Sequence, residues 1–97
     1  MISIYNKISD YIIIINNIGK ITFCNESFLN KFNYKKEDVL NLNINKIIKK
    51  LNINDILKDS KEIDTILECY SKCNKLVKLN ANISKIDSDN NITIVAQ

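Results

Sequence analysis

Three cysteines are the side chains of this sequence best suited to metal or redox chemistry. They are Cys24, Cys69 and Cys73. Thiolates bind soft metals, and thiols of low pKa oxidise selectively, so the set could form a metal site or a redox switch. Three residues rather than two separate Cys69 from Cys73, and a fourth ligand is missing. We therefore interpret the cysteines as small, partly buried apolar residues and expect no metal, with a cysteine-based redox switch as the weaker alternative.

The sequence contains none of the common arrangements of catalytic residues. The chain has no histidine, which is the commonest general base and metal ligand, and its single glycine excludes the glycine-rich loops that hold phosphates. No pair of acidic residues stands out from a solvated surface. We therefore predict no catalytic residue and no enzymatic activity.

The charges are those of an ordinary protein surface. All 14 basic residues are lysines, and the formal net charge is only +3. Without arginine the chain lacks the side chain that best makes bidentate contacts with phosphate and guanine. Lys46, Lys49 and Lys50 fit a solvated helix face, so we expect no nucleic-acid binding by this domain.

Length and hydropathy predict a single domain over residues 1–97. A chain of 97 residues has room for one core. Its longest apolar run, Tyr11–Ile15, is far shorter than the roughly 20 residues that span a bilayer, and no signal peptide opens the sequence. An odd number of cysteines favours a reducing compartment. We expect a cytoplasmic protein without a membrane segment.

Hydrophobic periodicity predicts strands at both ends of the domain. Tyr11–Ile15 is a β-branched run that is apolar on both alternating faces, as in a strand inside a sheet. After a turn, Lys20–Cys24 completes a hairpin. Towards the end of the chain Leu76–Ser84 and Ile92–Ala96 alternate cleanly, whereas Ile66–Lys72 fits either a strand or a helix.

The middle of the chain predicts helices. Asn25 is a favourable N-cap for an apolar stripe at Phe28 and Phe32. A second helical turn includes Glu37, and the apolar spacing over residues 42–66 suits further short helices. This order predicts an α+β fold with a five-stranded antiparallel sheet and short helices packed on one face.

These elements, with these residues, resemble the PAS domain family. The stretch DYIIIINNIGKITFCNESFLNKFNYKKEDVL, residues 10–40, looks like the family's opening pattern: an apolar strand, a turn with glycine, a strand ending in Asn, an amphipathic helix and an acidic helical turn. The positions that match are Gly19, Ile21, Asn25, Phe28, Tyr34, Glu37 and Leu40. Asn33 and Asn41 stand where the family usually has glycine, and asparagine tolerates the left-handed conformation best after glycine.

The resemblance implies none of the family's cofactors. Haem-binding members use a histidine that this chain lacks, and flavin photoreceptors carry a Gly-X-Asn-Cys-Arg-Phe-Leu-Gln string that does not occur here. Members that bind flavin-adenine cofactors often rely on tryptophan, which is also missing. We expect no haem, flavin or other cofactor.

For function, the resemblance implies a sensor or regulatory module of a larger signalling protein, such as a histidine kinase, a transcription regulator or a cyclic-dinucleotide enzyme. Such a module acts on an effector domain in the full-length chain by shifting a packed interface. The competing interpretation is a module that only dimerises, without a ligand.

The apolar interior is the candidate ligand site, because members of the family that bind small molecules hold them between helices and sheet. The side chains expected to converge there are Phe23, Phe28, Phe32, Ile47, Ile56, Leu79, Ala81 and Ile94. The site would take a small apolar ligand. The alternative is a solid core, since few polar groups converge on this space to orient a ligand.

A homodimer is predicted from the apolar character of the sheet face away from the helices. Ile13 and Ile15 cannot point into the same core as their neighbours in the strand, so they need another cover. Residues 1–9 suit a short flanking helix that is too small to cover this face alone, and a second copy would complete the burial. The predicted dimer face comprises Ile4, Ile8, Ile13, Ile15 and Val95.

Overall fold

The computed structural model describes residues 10–49, 51–52, 56, 62–86 and 89–97. In this part of the chain six strands form one antiparallel sheet with the order β2-β1-β6-β5-β4-β3. The strands are β1 (Tyr11–Ile15), β2 (Ile21–Cys24), β3 (Ile48–Lys49), β4 (Ile63–Tyr70), β5 (Leu76–Lys85) and β6 (Ile92–Ala96). β1 lies inside the sheet between β2 and β6, as its two apolar faces predict. Residues 1–9, with Ile4 and Ile8, lie outside the described residues.

Short helices connect β2 to β3. They are α1 (Glu26–Phe32), α2 (Lys36–Val39) and a 3-10 helix, Ile44–Lys46. Asn25 caps α1 through its side chain, and Asn33 ends the helix in the left-handed conformation with φ 62°. Asn41 has φ 66°. Both asparagines therefore occupy the left-handed conformation for which glycine is usually selected.

The α+β fold is confirmed, with one strand more than expected. The extra strand, β3, pairs with β4 through Ile48–Cys69 and Lys49–Glu68. This strand lies in the region where the apolar spacing indicated only helices. It was not predicted because a two-residue strand is too short to produce a periodicity of its own. The stretch over residues 66–72, which fitted either a strand or a helix, belongs to strand β4 as far as Tyr70. No helix in the described ranges is long and apolar enough to cross a membrane.

One face of the sheet packs against the helices and forms the core. Cross-strand partners share a face, and Ile13 pairs with Ile94, which pairs with Ile83. These three side chains are buried in one cluster with Phe28 and Phe32 of α1. The other face of the sheet, here called the outer face, carries the alternate residues of each strand.

Candidate functional site

Two predicted dimer-face residues belong to the core instead. Ile13 and Ile15 are 2% and 0% exposed and lie in the main apolar cluster. The prediction assigned the wrong alternate residues of β1 to the outer face, because apolar alternation alone does not say which face meets the helices. The register places Ile12 opposite Val95 and Ile14 opposite Thr93, so Ile12 and Ile14 are the residues of β1 on the outer face.

A β-bulge removes Phe23 from the predicted pocket. The register between β1 and β2 shifts between Ile14 and Ile15: Ile14 lies opposite Phe23, but Ile15 lies opposite Ile21. The extra residue of β2 breaks the two-residue alternation, so Ile21 and Phe23 do not share a face. Phe23 therefore lies on the outer face, and strict alternation could not predict this.

The other seven predicted pocket residues are all buried in the core cluster: Phe28, Phe32, Ile47, Ile56, Leu79, Ala81 and Ile94. Aromatic rings fill much of the space around α1. The centroids of Phe28 and Phe32 are 4.8 Å apart, and Tyr11 meets Phe32 edge-on at 5.7 Å. Close ring packing of this kind leaves little room for a ligand at this position.

A concavity of about 330 Å³ opens at the end of the core, between β4 and the segment after β3. The apolar residues that line it are Leu51, Ile56, Ile63, Ile66, Leu67 and Ile83, and the polar ones are Lys49, Asn52, Thr65 and Glu68. Its volume is at the lower end of the range for small-molecule sites. Of the predicted pocket residues only Ile56 lines it. Ile63 was not predicted to line a site because the apolar spacing over residues 42–66 assigned it to a helical region, whereas it begins β4.

Two of the three cysteines are buried and weakly acidic. Burial raises the pKa of the Cys24 and Cys69 thiols to about 12. The thiolate is the form that attacks oxidants, so the raised pKa disfavours oxidation of both thiols in the folded chain. Cys73 is exposed. The described residues contain no group of three or more His, Cys, Asp or Glu side chains positioned to hold a metal ion.

Asn25 joins the start of β1 to the start of α1. Its side chain is fully buried, and its Oδ1 accepts hydrogen bonds from the backbone N–H groups of Ile12 and Phe28, each at 3.1 Å. Its Nδ2 donates to the carbonyl of Asp10 at 2.8 Å. An amide is required here because one end of the side chain must accept while the other donates.

A second set of contacts joins the helical segment to the turn between β4 and β5. The hydroxyl of Tyr34 donates to the carbonyl of Tyr70 at 2.7 Å, and the backbone N–H of Lys72 donates to the carbonyl of Phe32 at 2.9 Å. The Lys72 ammonium lies 2.8 Å from the Asp38 carboxylate. This hydrogen-bonded pair lowers the pKa of Asp38, and burial raises the pKa of Tyr34.

The outer face carries a row of apolar side chains on β2, β1 and β6. Ile14, Phe23 and Val95 are each half-buried, and Ile12 beside them is 1% exposed. Ile14 lies opposite Phe23 on one side and Thr93 on the other, and Val95 lies opposite Ile12, so Val95 is a diagonal neighbour of Ile14. Among the described residues of the predicted dimer face, Val95 lies on the outer face, whereas Ile13 and Ile15 lie in the core.

The sequence model of the PAS domain matches residues 9–97. The chain belongs to the PAS domain family. The resemblance seen in residues 10–40 is thereby confirmed, and the match covers nearly the whole chain. No curated protein sequence matches the chain.

Solved PAS-fold structures superpose closely. A domain of a sensory box sensor histidine kinase/response regulator from Geobacter sulfurreducens gives a TM-score of 0.85 at 12% identity, over 98% of this chain and 88% of that one. The PAS domain of nitrogen regulation protein NR(II) from Vibrio parahaemolyticus gives 0.81 at 12% identity, over 98% and 94%. A PAS domain from Desulfitobacterium hafniense gives 0.79 at 20% identity, over 94% and 92%. At these identities the likeness establishes the shared PAS fold.

Proposed function

We propose that this PAS domain is the cytoplasmic sensor module of a larger signalling protein, a histidine kinase, a transcription regulator or a cyclic-dinucleotide enzyme. It performs no chemistry itself and acts on an effector domain through an interface between two copies of the chain. Family membership supports the signalling role, and two of the similar structures come from a histidine kinase and a nitrogen regulation protein. A shift of such an interface is a common way for a domain without a catalytic centre to pass on a signal.

The apolar row on the outer face is the observation that carries the proposal. Ile14 of β1 and Phe23 of β2 are cross-strand partners, and Val95 of β6 lies diagonally from Ile14, yet each of the three keeps part of its surface in water. Contiguous apolar surface of this kind is typical of contact sites, and burying it against a second copy removes it from water. A two-fold arrangement uses the same row on both copies.

The position of this row would connect the interface to the chain ends. Tyr11 at the start of β1 pairs with Ala96 near the end of β6, so the chain enters and leaves the sheet at neighbouring positions. Movement of an interface formed by β1 and β6 would therefore be transmitted to the residues next to Tyr11 and Ala96.

Sedimentation velocity of the chain and of charged variants tests the proposal. Val95→Lys and Ile14→Lys should each shift the chain from dimer to monomer, because each buries an ammonium in an apolar contact. Asn30→Lys adds the same charge at an exposed position of α1 and should leave the dimer intact. A chain that sediments as a monomer at high micromolar concentration would contradict the interface between copies.

The concavity beside β4 favours a second candidate, a PAS domain that holds a small apolar ligand. Native mass spectrometry of the freshly purified chain, compared with its denatured mass, tests this. A mass excess that disappears on denaturation would support a bound ligand, whereas equal masses would favour the ligand-independent dimerisation module. The redox alternative rests on Cys73 alone, because the pKa values of the other two thiols are about 12.

A further inference from the structure

Asn25 attaches the start of α1 to the start of β1. In addition to the hydrogen bonds of its side chain, its backbone N–H donates to the carbonyl of Ile12 at 3.0 Å, and its carbonyl accepts from the N–H of Leu29 at 3.2 Å. This buried residue therefore binds the backbone at Asp10 and Ile12 on one side and at Phe28 and Leu29 on the other. A shift of α1 relative to β1 would break these bonds.

The end of α1 is attached to the turn between β4 and β5, residues 71–75, here called the β4–β5 turn. The carbonyl of Phe32, the last residue of α1, accepts from the backbone N–H of Lys72 at 2.9 Å. Just after the helix, the Tyr34 hydroxyl donates to the carbonyl of Tyr70 at 2.7 Å, where β4 ends. All residues of the turn except the first are exposed, so a contact from outside the domain can reach it.

Four aromatic rings form a continuous series between these two attachments. Tyr11, the first residue of β1, meets Phe32 edge-on at a centroid distance of 5.7 Å, and the Phe32 ring lies 4.8 Å from that of Phe28. Phe28 stacks on Tyr34 with a centroid distance of 6.1 Å. Because Phe28 and Phe32 are completely buried and closely packed, a displacement of Tyr34 would be passed to Tyr11 through this series.

The helix between the attachments is too short to be stable alone. α1 has seven residues, or about two turns. Isolated helices below about 12–15 residues are marginal in water. The stability of α1 must therefore come from its two attachments and from the rings that it buries. Loss of either attachment should weaken the whole helix, which is the behaviour of a cooperative unit.

The attachment through Asn25 lies where the chain enters the sheet. Asp10 directly precedes β1, and Tyr11 pairs with Ala96 near the end of β6. In the signalling role proposed above, the residues next to Tyr11 and Ala96 are those to which a conformational change is transmitted. A movement of α1 would reach the same residues from the helix side of the sheet.

We propose that α1, the β4–β5 turn and the start of β1 form one cooperative unit, which opens as a whole and carries a displacement of the exposed turn to Asp10 and Tyr11. The use of this unit in signalling rests on the proposed function, whereas its cooperativity is a property of the folded domain alone. Tyr34 and Asn25 are its positioning residues, because Tyr34 holds the turn and Asn25 holds β1.

Native-state hydrogen exchange of the 97-residue chain, followed by NMR at low urea concentrations, tests the proposal. The reporters are the amides of Ile12, Leu29 and Lys72, one from each part of the unit, and each donates one of the hydrogen bonds described above. The three should share one free energy of opening and one dependence on urea. Both values should be smaller than those of Ile94 in the central strand β6, because the unit opens while the sheet stays folded.

Tyr34→Phe tests the attachment to the turn by removing one hydroxyl. Because its hydrogen bond breaks whenever the unit opens, the variant should speed exchange at Ile12 and Leu29 by the same factor as at Lys72, about fivefold. Ile12 lies at the opposite end of α1 from Tyr34, so an equal effect there requires the unit to open as a whole. The matched control, Tyr70→Phe, keeps the accepting carbonyl and should change exchange at these amides by less than about twofold.

Three results would overturn the proposal. In the first, Tyr34→Phe speeds exchange at Lys72 and leaves Ile12 unchanged, so the two ends open independently. In the second, Ile12 and Ile94 share one free energy of opening in the parent chain, so the start of β1 opens only when the sheet unfolds. In the third, Tyr34→Phe and Tyr70→Phe have equal effects. The proposed function is tested separately, because a chain that sediments as a monomer would contradict the interface between copies and leave these exchange results unaffected.

Discussion

Replacing Asn25 with alanine should destabilise the domain more than the loss of one helix N-cap alone would. In α1 the lost N-cap to Phe28 costs about 1 kcal/mol. The N–H of Ile12 is left buried without its acceptor, at about 1–3 kcal/mol, and the Asp10 carbonyl loses a further hydrogen bond of about 1 kcal/mol. We expect Asn25→Ala to lower the free energy of unfolding by about 3–5 kcal/mol, a large share of the 5–15 kcal/mol typical of a domain.

Urea unfolding followed by circular dichroism measures this loss. The control is Asn43→Ala, since Asn43 caps the 3-10 helix at an exposed position through one bond to the Asn45 N–H, at 2.9 Å. We expect that substitution to cost about 0.5–1 kcal/mol. If Asn25→Ala costs no more than Asn43→Ala, the side chain of Asn25 is not the junction between β1 and α1, and the reasoning is refuted.

Asn25→Asp distinguishes the donor end of the amide from the acceptor end. The carboxylate keeps the two acceptor bonds but places an oxygen where Nδ2 meets the Asp10 carbonyl at 2.8 Å. Two N–H donors and the helix N-terminus favour the carboxylate, whereas burial and the Asp10 carbonyl disfavour it, so the variant should be more stable than Asn25→Ala and less stable than the parent chain. A variant as stable as the parent chain would contradict the assignment of a hydrogen-bond donor at this position.

Three further changes have defined outcomes. Asn33→Gly should be tolerated, whereas Asn33→Ala should cost about 1 kcal/mol in urea unfolding, because φ is 62° there. Above pH 9 the free energy of unfolding should fall by about 1.4 kcal/mol per pH unit for each of Cys24 and Cys69. The reason is that the thiols ionise in the unfolded chain, whereas the buried thiols of the folded chain, with pKa about 12, stay protonated. If Cys69→Ala leaves the dependence of the unfolding free energy on pH unchanged, this explanation is wrong. Lys72→Ala should raise the pKa of Asp38, followed by NMR titration of its carboxyl, and an unchanged value would exclude the ion pair in solution.

The fold was largely predictable because its signals are local. The run Tyr11–Ile15 carries enough β-branched residues to indicate an inner strand, and Asn25 followed by the Phe28–Phe32 stripe indicates a capped helix. The left-handed conformations at Asn33 and Asn41 also follow from residue type. Each of these features depends on neighbours within a few positions in the chain.

The features of the site depend on register, which the sequence does not encode locally. The bulge between β1 and β2 moves Phe23 to the outer face, and the pairing of Ile13 with Ile94 assigns Ile13 to the core. A shift by one residue exchanges the two faces of a strand, so a correct strand with the wrong register yields a wrong interface. The concavity beside β4 was missed for the related reason that β3 and the first residues of β4 gave no strand signal.

Cross-linking at position 95 tests the central claim, that two copies pair through the outer face, most directly. In a Cys73→Ser background the remaining native thiols are buried and their pKa values are raised, so an engineered cysteine should be the thiol that oxidises most readily. A residue near the two-fold axis lies close to its counterpart in the other copy, and we place the axis at the row, so Val95→Cys should form a disulfide-linked dimer rapidly under mild oxidation. Asn30→Cys, exposed on α1, should remain monomeric on denaturing gels. Efficient linkage at position 30 and none at position 95 would contradict the proposed interface.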